Sequence, residues 1–365
     1  MKSAKMAREK AVFVFLLLSC IALFFLGSTA IYLKSTKSVY SADAEKESFV
    51  ITASFYPVYI AALNVAGDID GVEVRNLTQP QTGCLHDYQL TTEDMKAMAD
   101  SDVLLINGGG IESFVSKVAK TYPKLSIINL SASFAELPEE DEEEEDHDHE
   151  DADHEDADHE DADHEDADHE DVDHEDADHD HDHDHDHGEQ NSHFWMDIEL
   201  YRKEVESMEE GLSIRDPVHA DQYKKNAEAY LKKLESLQSE EAELKAALSG
   251  KKVVVFHEAF LYLAEDLDMQ VTMTMDLDEE RQVSAGEVRQ VLDALALSDD
   301  KIIFAERTYG EEMGDRMTEE ASATVIYLDP LTRPKDGQES EQDGYLLAMQ
   351  ENFDQIRTTL LGAEE

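Results

Sequence analysis

Cysteine is nearly absent: the 365-residue chain has two. Cys20 falls inside an apolar N-terminal stretch, which leaves Cys84 as a lone thiol in the remainder and excludes a disulfide scaffold. Basic residues are scarce as well, 30 Lys plus Arg against 86 Asp plus Glu. So acidic a chain repels nucleic acid phosphates, and nucleic acid is excluded as a partner. Catalytic motifs are missing too. His257-Glu258 is followed by Leu261 where an H-E-x-x-H zinc helix needs its second His, and no Ser or Cys nucleophile stands in a recognisable setting. A zinc hydrolase is therefore disfavoured against a protein that binds without chemistry.

Much of the acid sits in one tract, from about Glu139 to Glu189, with 32 Asp plus Glu and 12 of the 16 His. Taking those acids from 86 leaves 54 against 30 bases, a net charge of −24 on the rest. From Asp151 the tract repeats Asp-Ala-Asp-His-Glu six times, with variations at Val172 and Asp180, and then alternates His and Asp to His187. A five-residue period puts successive His neither on one helical face nor on one face of a strand. With so few apolar residues the segment is expected to be disordered. Imidazole flanked by carboxylate is nevertheless a mixed N and O ligand set for Zn²⁺. His147, His149, His154, His159, His164, His169, His174, His179, His181, His183, His185 and His187 are thus candidate low-affinity metal ligands.

At the N-terminus, Lys2, Lys5, Arg8 and Lys10 precede an uncharged apolar stretch of 23 residues from Ala11 to Leu33. Basic residues followed by enough apolar chain to cross a bilayer read as an export signal, with the remainder outside the cytoplasm and anchored to the membrane. Cleavage after Ala44, in Ala42-Asp43-Ala44, and lipidation of Cys20, in Leu17-Leu18-Ser19-Cys20, are the alternatives.

Beyond residue 48 strands alternate with helices, which predicts parallel sheets covered by helices. Strands are expected at 49–55, 72–77, 103–106 and 126–130, with helices at 59–66, 91–99 and 111–122 between them. After the tract, apolar residues at helical spacing from Tyr223 to Leu248 predict one long helix over 216–248. A second unit follows, with strands at 252–256, 270–275, 302–305 and 324–328 and a terminal helix from Gly344. The expected fold is α/β: two Rossmann-like parallel-sheet lobes joined by a long helix, with a disordered His/Asp/Glu-rich loop in the first lobe. The predicted division is 1–47 for the signal or anchor, 48–215 for the first lobe with the loop at 139–190, 216–250 for the linking helix and 251–365 for the second lobe.

Only four His lie outside the tract. His86 follows the second strand, His193 closes the tract and His257 ends the first strand of the second lobe, positions from which they can point into one cleft. His219, in a loop leading into the long helix, reads as a surface residue. The residues His86-Asp87-Tyr88 with Asp94 and Asp102, His193-Phe194-Trp195-Met196-Asp197, Asp216-Pro217 with Tyr223 and Asn226, His257-Glu258-Ala259-Phe260 with Tyr262, Glu306, and Leu328-Asp329-Pro330-Leu331 resemble, in this order, the zinc and manganese solute-binding proteins of ABC transporters, the ZnuA-like group. The match covers roughly residues 48 to 360. The resemblance implies a monomeric receptor that holds a metal ion between its lobes and passes it to a membrane permease with its ATPase. It maps His86, His193 and His257 onto ligand positions and Asp329 onto a fourth, filled by the carboxylate or approached by water.

Relatives that select manganese or iron usually carry Glu where this chain has His257, and three neutral nitrogens favour Zn²⁺ over the harder Mn²⁺. The expected cargo is therefore Zn²⁺, with a manganese or iron receptor of the same family as the alternative. An adhesin or a metal buffer is compatible with the same site. The segment Gly83-Cys84-Leu85 before His86 departs from the family's pattern, and Cys84 is adjacent in sequence to the ligand, so its side chain is expected to point away.

Overall fold

The computed structural model describes residues 48–78, 88–135, 191–277, 283–335 and 341–362. The export signal, the acidic tract, Cys84 and His86 lie outside the described residues.

Strands β1 (Phe49–Ala53), β2 (Val72–Asn76), β3 (Val103–Ile106) and β4 (Ser126–Asn129) form one parallel sheet in the order β2-β1-β3-β4. β5 (Lys252–Val255), β6 (Gln270–Thr274), β7 (Ile302–Glu306) and β8 (Thr324–Leu328) form a second in the order β6-β5-β7-β8. Their central strands are continuous apolar runs, as in Val103-Leu104-Leu105-Ile106, because parallel sheets are covered on both faces. In each sheet the chain leaves its first strand toward one edge and returns on the other side. The reversal lies between β1 and β3 in the first sheet and between β5 and β7 in the second, and the carboxyl ends of those strands are where such sheets take ligands.

The helices are α1 (Tyr56–Ala66), α2 (Thr92–Ala99), α3 (Val115–Thr121), α4 (Ile198–Arg215), α5 (Ala220–Leu248), α6 (Phe260–Asp266), α7 (Ala285–Ala296), α8 (Arg307–Ala321) and α9 (Gly344–Leu361). The long helix α5 has 29 residues, roughly 43 Å at 1.5 Å per residue. Its stripe of Tyr223, Ala227, Tyr230, Leu234, Leu237, Leu244 and Leu248 is buried, and it packs on α1 and α4 and on α9. It begins at Ala220 rather than at 216, because Asp216 turns back to accept from the Tyr223 hydroxyl at 2.8 Å and to pair with His219 at 2.5 Å. His219 is thus partly buried in this turn, and the expectation of a plain surface residue is corrected.

α4 was not anticipated. Asp197 caps it by accepting from the Leu200 N–H at 2.9 Å, and Ile198, Tyr201, Val205, Met208 and Leu212 supply its buried face. α3 starts at Val115, four residues later than expected. Gly108, Gly109 and Gly110 all take positive φ, and Glu112 folds back to accept from the N–H groups of Asn107 (2.7 Å) and Gly108 (3.0 Å). A Cβ on Gly108 would lie 2.1 Å from Asn129 Oδ1, so the turn requires glycine there. Among the described residues no helix is long and apolar enough to cross a membrane.

Asp197 beside α4, Glu241 on α5 and Asp266 on α6 are half-buried and repel one another. Burial, followed by the charges of Asp266 and Asp197, pushes Glu241 up to about 8, and burial with the Asp197 charge pushes Asp266 up to about 7. The folded chain therefore keeps a proton on Glu241 to a higher pH than the unfolded chain does. Folding takes up protons between the ordinary carboxylate range and about 8, and stability falls as pH rises through that window. Glu241→Gln is expected to stabilise the chain near pH 8, by about 1 kcal/mol or more, and less near pH 5. Urea melts of both proteins at the two pH values check this, and an equal gain at both would contradict it.

Candidate metal centre

The second sheet presents its site residues at the switch point. His257 follows β5 and Glu306 ends β7, the neighbouring strand, so the topology sets them side by side: His257 Nδ1 lies 3.3 Å from Glu306 Oε2. Both are buried, His257 at 1% exposure. Asp329 follows β8. Its backbone is clamped by Asn352 of α9, which accepts from the Asp329 N–H at 2.8 Å and donates to the Asp329 carbonyl at 2.9 Å. Its carboxylate accepts from the Leu331 N–H at 2.8 Å and lies 3.7 Å from Lys335 Nζ. Burial raises the carboxyl above its ordinary range and the nearby Glu306 adds to this, against the Leu331 N–H and Lys335.

His193 comes from the segment 191–196, which both lobes hold. From the first lobe, the Asn107 side-chain amide donates to the Ser192 carbonyl at 2.9 Å. From the second, the Tyr262 hydroxyl donates to the Asn191 carbonyl (2.7 Å), and the Tyr345 hydroxyl donates to that of Trp195 (2.8 Å). Trp195 Nε1 in turn donates to the Pro330 carbonyl at 2.8 Å, next to Asp329. So held, the His193 ring is fully buried and meets the His257 ring edge to face, 5.3 Å between centroids at 86°. At the carboxyl ends of β1 and β3, Glu112 is also buried. Burial pushes it up to about 7, opposed by donors from Ser54, Gly108 and Asn107, and it organises the glycine turn whose Asn107 reaches Ser192.

The structure thus brings together His193, His257 and Glu306, with Asp329 close enough to Glu306 to feel its charge. Among the described residues no group of three or more His, Cys, Asp or Glu is gathered so as to hold a metal ion by itself. His86, the third imidazole expected there, lies outside them. Asn191 was not expected beside the candidate ligands, yet its Oδ1 is 2.8 Å from His193 Nδ1; its position two residues before His193 was the available signal.

The family model for the zinc-uptake complex component A periplasmic, ZnuA, matches residues 51–359. The chain belongs to this family. The zinc-binding lipoprotein AdcA of Streptococcus pneumoniae is 24% identical over 343 residues, which is 93% of this chain and 60% of AdcA. The chain therefore spans about 60% of that relative's length. The iron-binding protein YfeA of Yersinia pestis is 24% identical over 294 residues, 79% of this chain and 80% of YfeA. Among solved structures, the SBP FpvC of Pseudomonas aeruginosa in complex with Ni²⁺ aligns with a TM-score of 0.64 at 21% identity, covering 87% of this chain and 99% of FpvC. That likeness establishes the two-lobe α/β fold. The family is described by its role as a component of a zinc-uptake complex. The metals in the relatives' names differ, zinc, iron and nickel, so membership alone leaves the choice of metal open.

Proposed function

We propose that the chain is an extracytoplasmic receptor that captures Zn²⁺ between its lobes and delivers it to an ABC permease and its ATPase, acting as a monomer. The observation that carries this reading is the edge contact of two buried imidazoles, His193 and His257, which arrive from different parts of the chain. Two buried rings this close suit one borderline ion, and His86, which follows β2 in sequence, supplies the third nitrogen. Asp329, or a water beside it, completes the shell. Residues 1–47 hold the receptor at the membrane, and the division into 48–215, 216–250 and 251–365 stands on the same footing. The His of the tract act as a low-affinity collector that raises zinc near the cleft without forming part of it. A second reading, a manganese or iron receptor, is favoured by Glu306, a hard oxygen 3.3 Å from His257 Nδ1.

The test is calorimetric titration with Zn²⁺ and with Mn²⁺, comparing the chain with a form lacking residues 139–188. One tight zinc site is expected in both forms, with several weak sites only where the tract is present. Preference for Mn²⁺ at the tight site would favour the second reading. A tenfold loss of zinc affinity at the tight site on deletion would make the tract part of the site and overturn the division of labour.

A further inference from the structure

We propose that Asn191 is the positioning residue that holds His193 with its proton on Nδ1 and so presents the Nε2 lone pair to the metal. The inference rests on the reading of His193 as a ligand and deepens it. The amide's orientation follows from its partners. The His193 backbone N–H, which can only donate, lies 3.1 Å from one terminal atom, so that atom is Oδ1. The Glu258 carbonyl, which can only accept, lies 2.9 Å from the other, so that atom is Nδ2. His193 Nδ1 is 2.8 Å from Oδ1, an oxygen that offers only lone pairs, and the ring nitrogen must therefore be the donor. In neutral imidazole a proton on Nδ1 leaves Nε2 as the acceptor.

The same side chain also sets the spacing of two ligands. One end of the amide grips the His193 ring and the other grips the carbonyl of Glu258, the residue after His257. The Tyr262 hydroxyl fixes the Asn191 backbone from α6 at 2.7 Å. Asn191 thus ties both histidine segments through one rigid group, while Trp195 packs against the His193 ring at 5.0 Å. Glu258 Oε1 is the rival partner for Nδ1, but at 3.5 Å it stands farther off than Asn191 Oδ1.

Long-range ¹H–¹⁵N NMR of the metal-free full chain near pH 8, where imidazole is neutral, reads the tautomer directly; the His193 signal is the one lost in His193→Gln. Wild type is expected to show Nδ1–H. Asn191→Leu is expected to populate the Nε2–H form and to weaken zinc binding by about 10- to 100-fold. Asn191→Asp keeps an oxygen at the same place and is expected to retain Nδ1–H. An Nε2–H ring in wild type overturns the proposal, as does an unchanged Nδ1–H ring in Asn191→Leu, which would hand the role to Glu258. Should Asn191→Leu not fold, Asn191→Ala makes the same comparison. The tautomer is read without metal, so a wild type that binds no zinc would defeat the receptor reading while leaving this result to stand or fall separately.

Discussion

His257→Ala is expected to abolish tight one-to-one zinc binding. Apparent binding free energies at four-ligand zinc sites are about 10–16 kcal/mol, so a single ligand carries on the order of 3 kcal/mol, more than a hundredfold in Kd. The neighbouring Glu306, 3.3 Å from His257 Nδ1, does not replace the lost nitrogen in kind, because it offers a hard anionic oxygen. The folded state should be disturbed much less, since His257 follows β5 rather than pairing within it. The variant is expected to keep its far-UV circular dichroism and to lose the zinc-dependent rise in Tm that a ligand bound only to the native state produces. Competition calorimetry on a form lacking residues 139–188 keeps the tract's own ions out of the measurement. An affinity within threefold of the parent would remove His257 from the site.

Trp195→Ala is expected to have the largest effect on stability, about 3–5 kcal/mol, the range for emptying the site of a buried Trp or Phe. The ring is fully buried, edge-on to Phe55 of the first lobe at 5.0 Å, and its Nε1–H holds the Pro330 carbonyl of the second lobe at 2.8 Å. Its loss leaves a cavity between the lobes and an unanswered carbonyl beside Asp329. Trp195→Phe fills most of the space and forfeits mainly the hydrogen bond, so it is expected to cost about 1–3 kcal/mol. Trp195 is the sole tryptophan, and the urea transitions should be followed by circular dichroism. A cost below about 1.5 kcal/mol for the alanine variant would mean that the lobes are held by other contacts, such as the Tyr201–Tyr345 stack at 3.8 Å.

The parallel sheets were legible because a strand covered on both faces has to be apolar throughout, as 103–106 is, and because glycine marks the breaks between units. α4 escaped although Asp197 is a good cap and 198, 201, 205, 208 and 212 follow helical spacing. Its stripe is interrupted by Glu204, which local pattern reads as solvent-facing and tertiary packing buries. The start of α3 escaped for a different reason: the return of Glu112 onto Asn107 and Gly108 is a side-chain preference that periodicity does not encode. His193 and His257 were singled out because one closes the tract and the other ends a strand, and the fold brings their rings together. Asn191, Glu306 and the Trp195 bridge act through contacts between segments far apart in sequence, and only the folded arrangement reveals what each of them touches.

The claim that one ion sits among His86, His193 and His257 is tested most directly by zinc K-edge X-ray absorption. The form lacking residues 139–188, loaded with a single equivalent of Zn²⁺, is to be compared with its His86→Ala variant. Four light ligands at about 2.0–2.1 Å, three of them imidazoles, are expected, with one imidazole lost in the variant. A sulfur at about 2.3 Å, which would bring in Cys84, or an unchanged imidazole count after His86→Ala would contradict it.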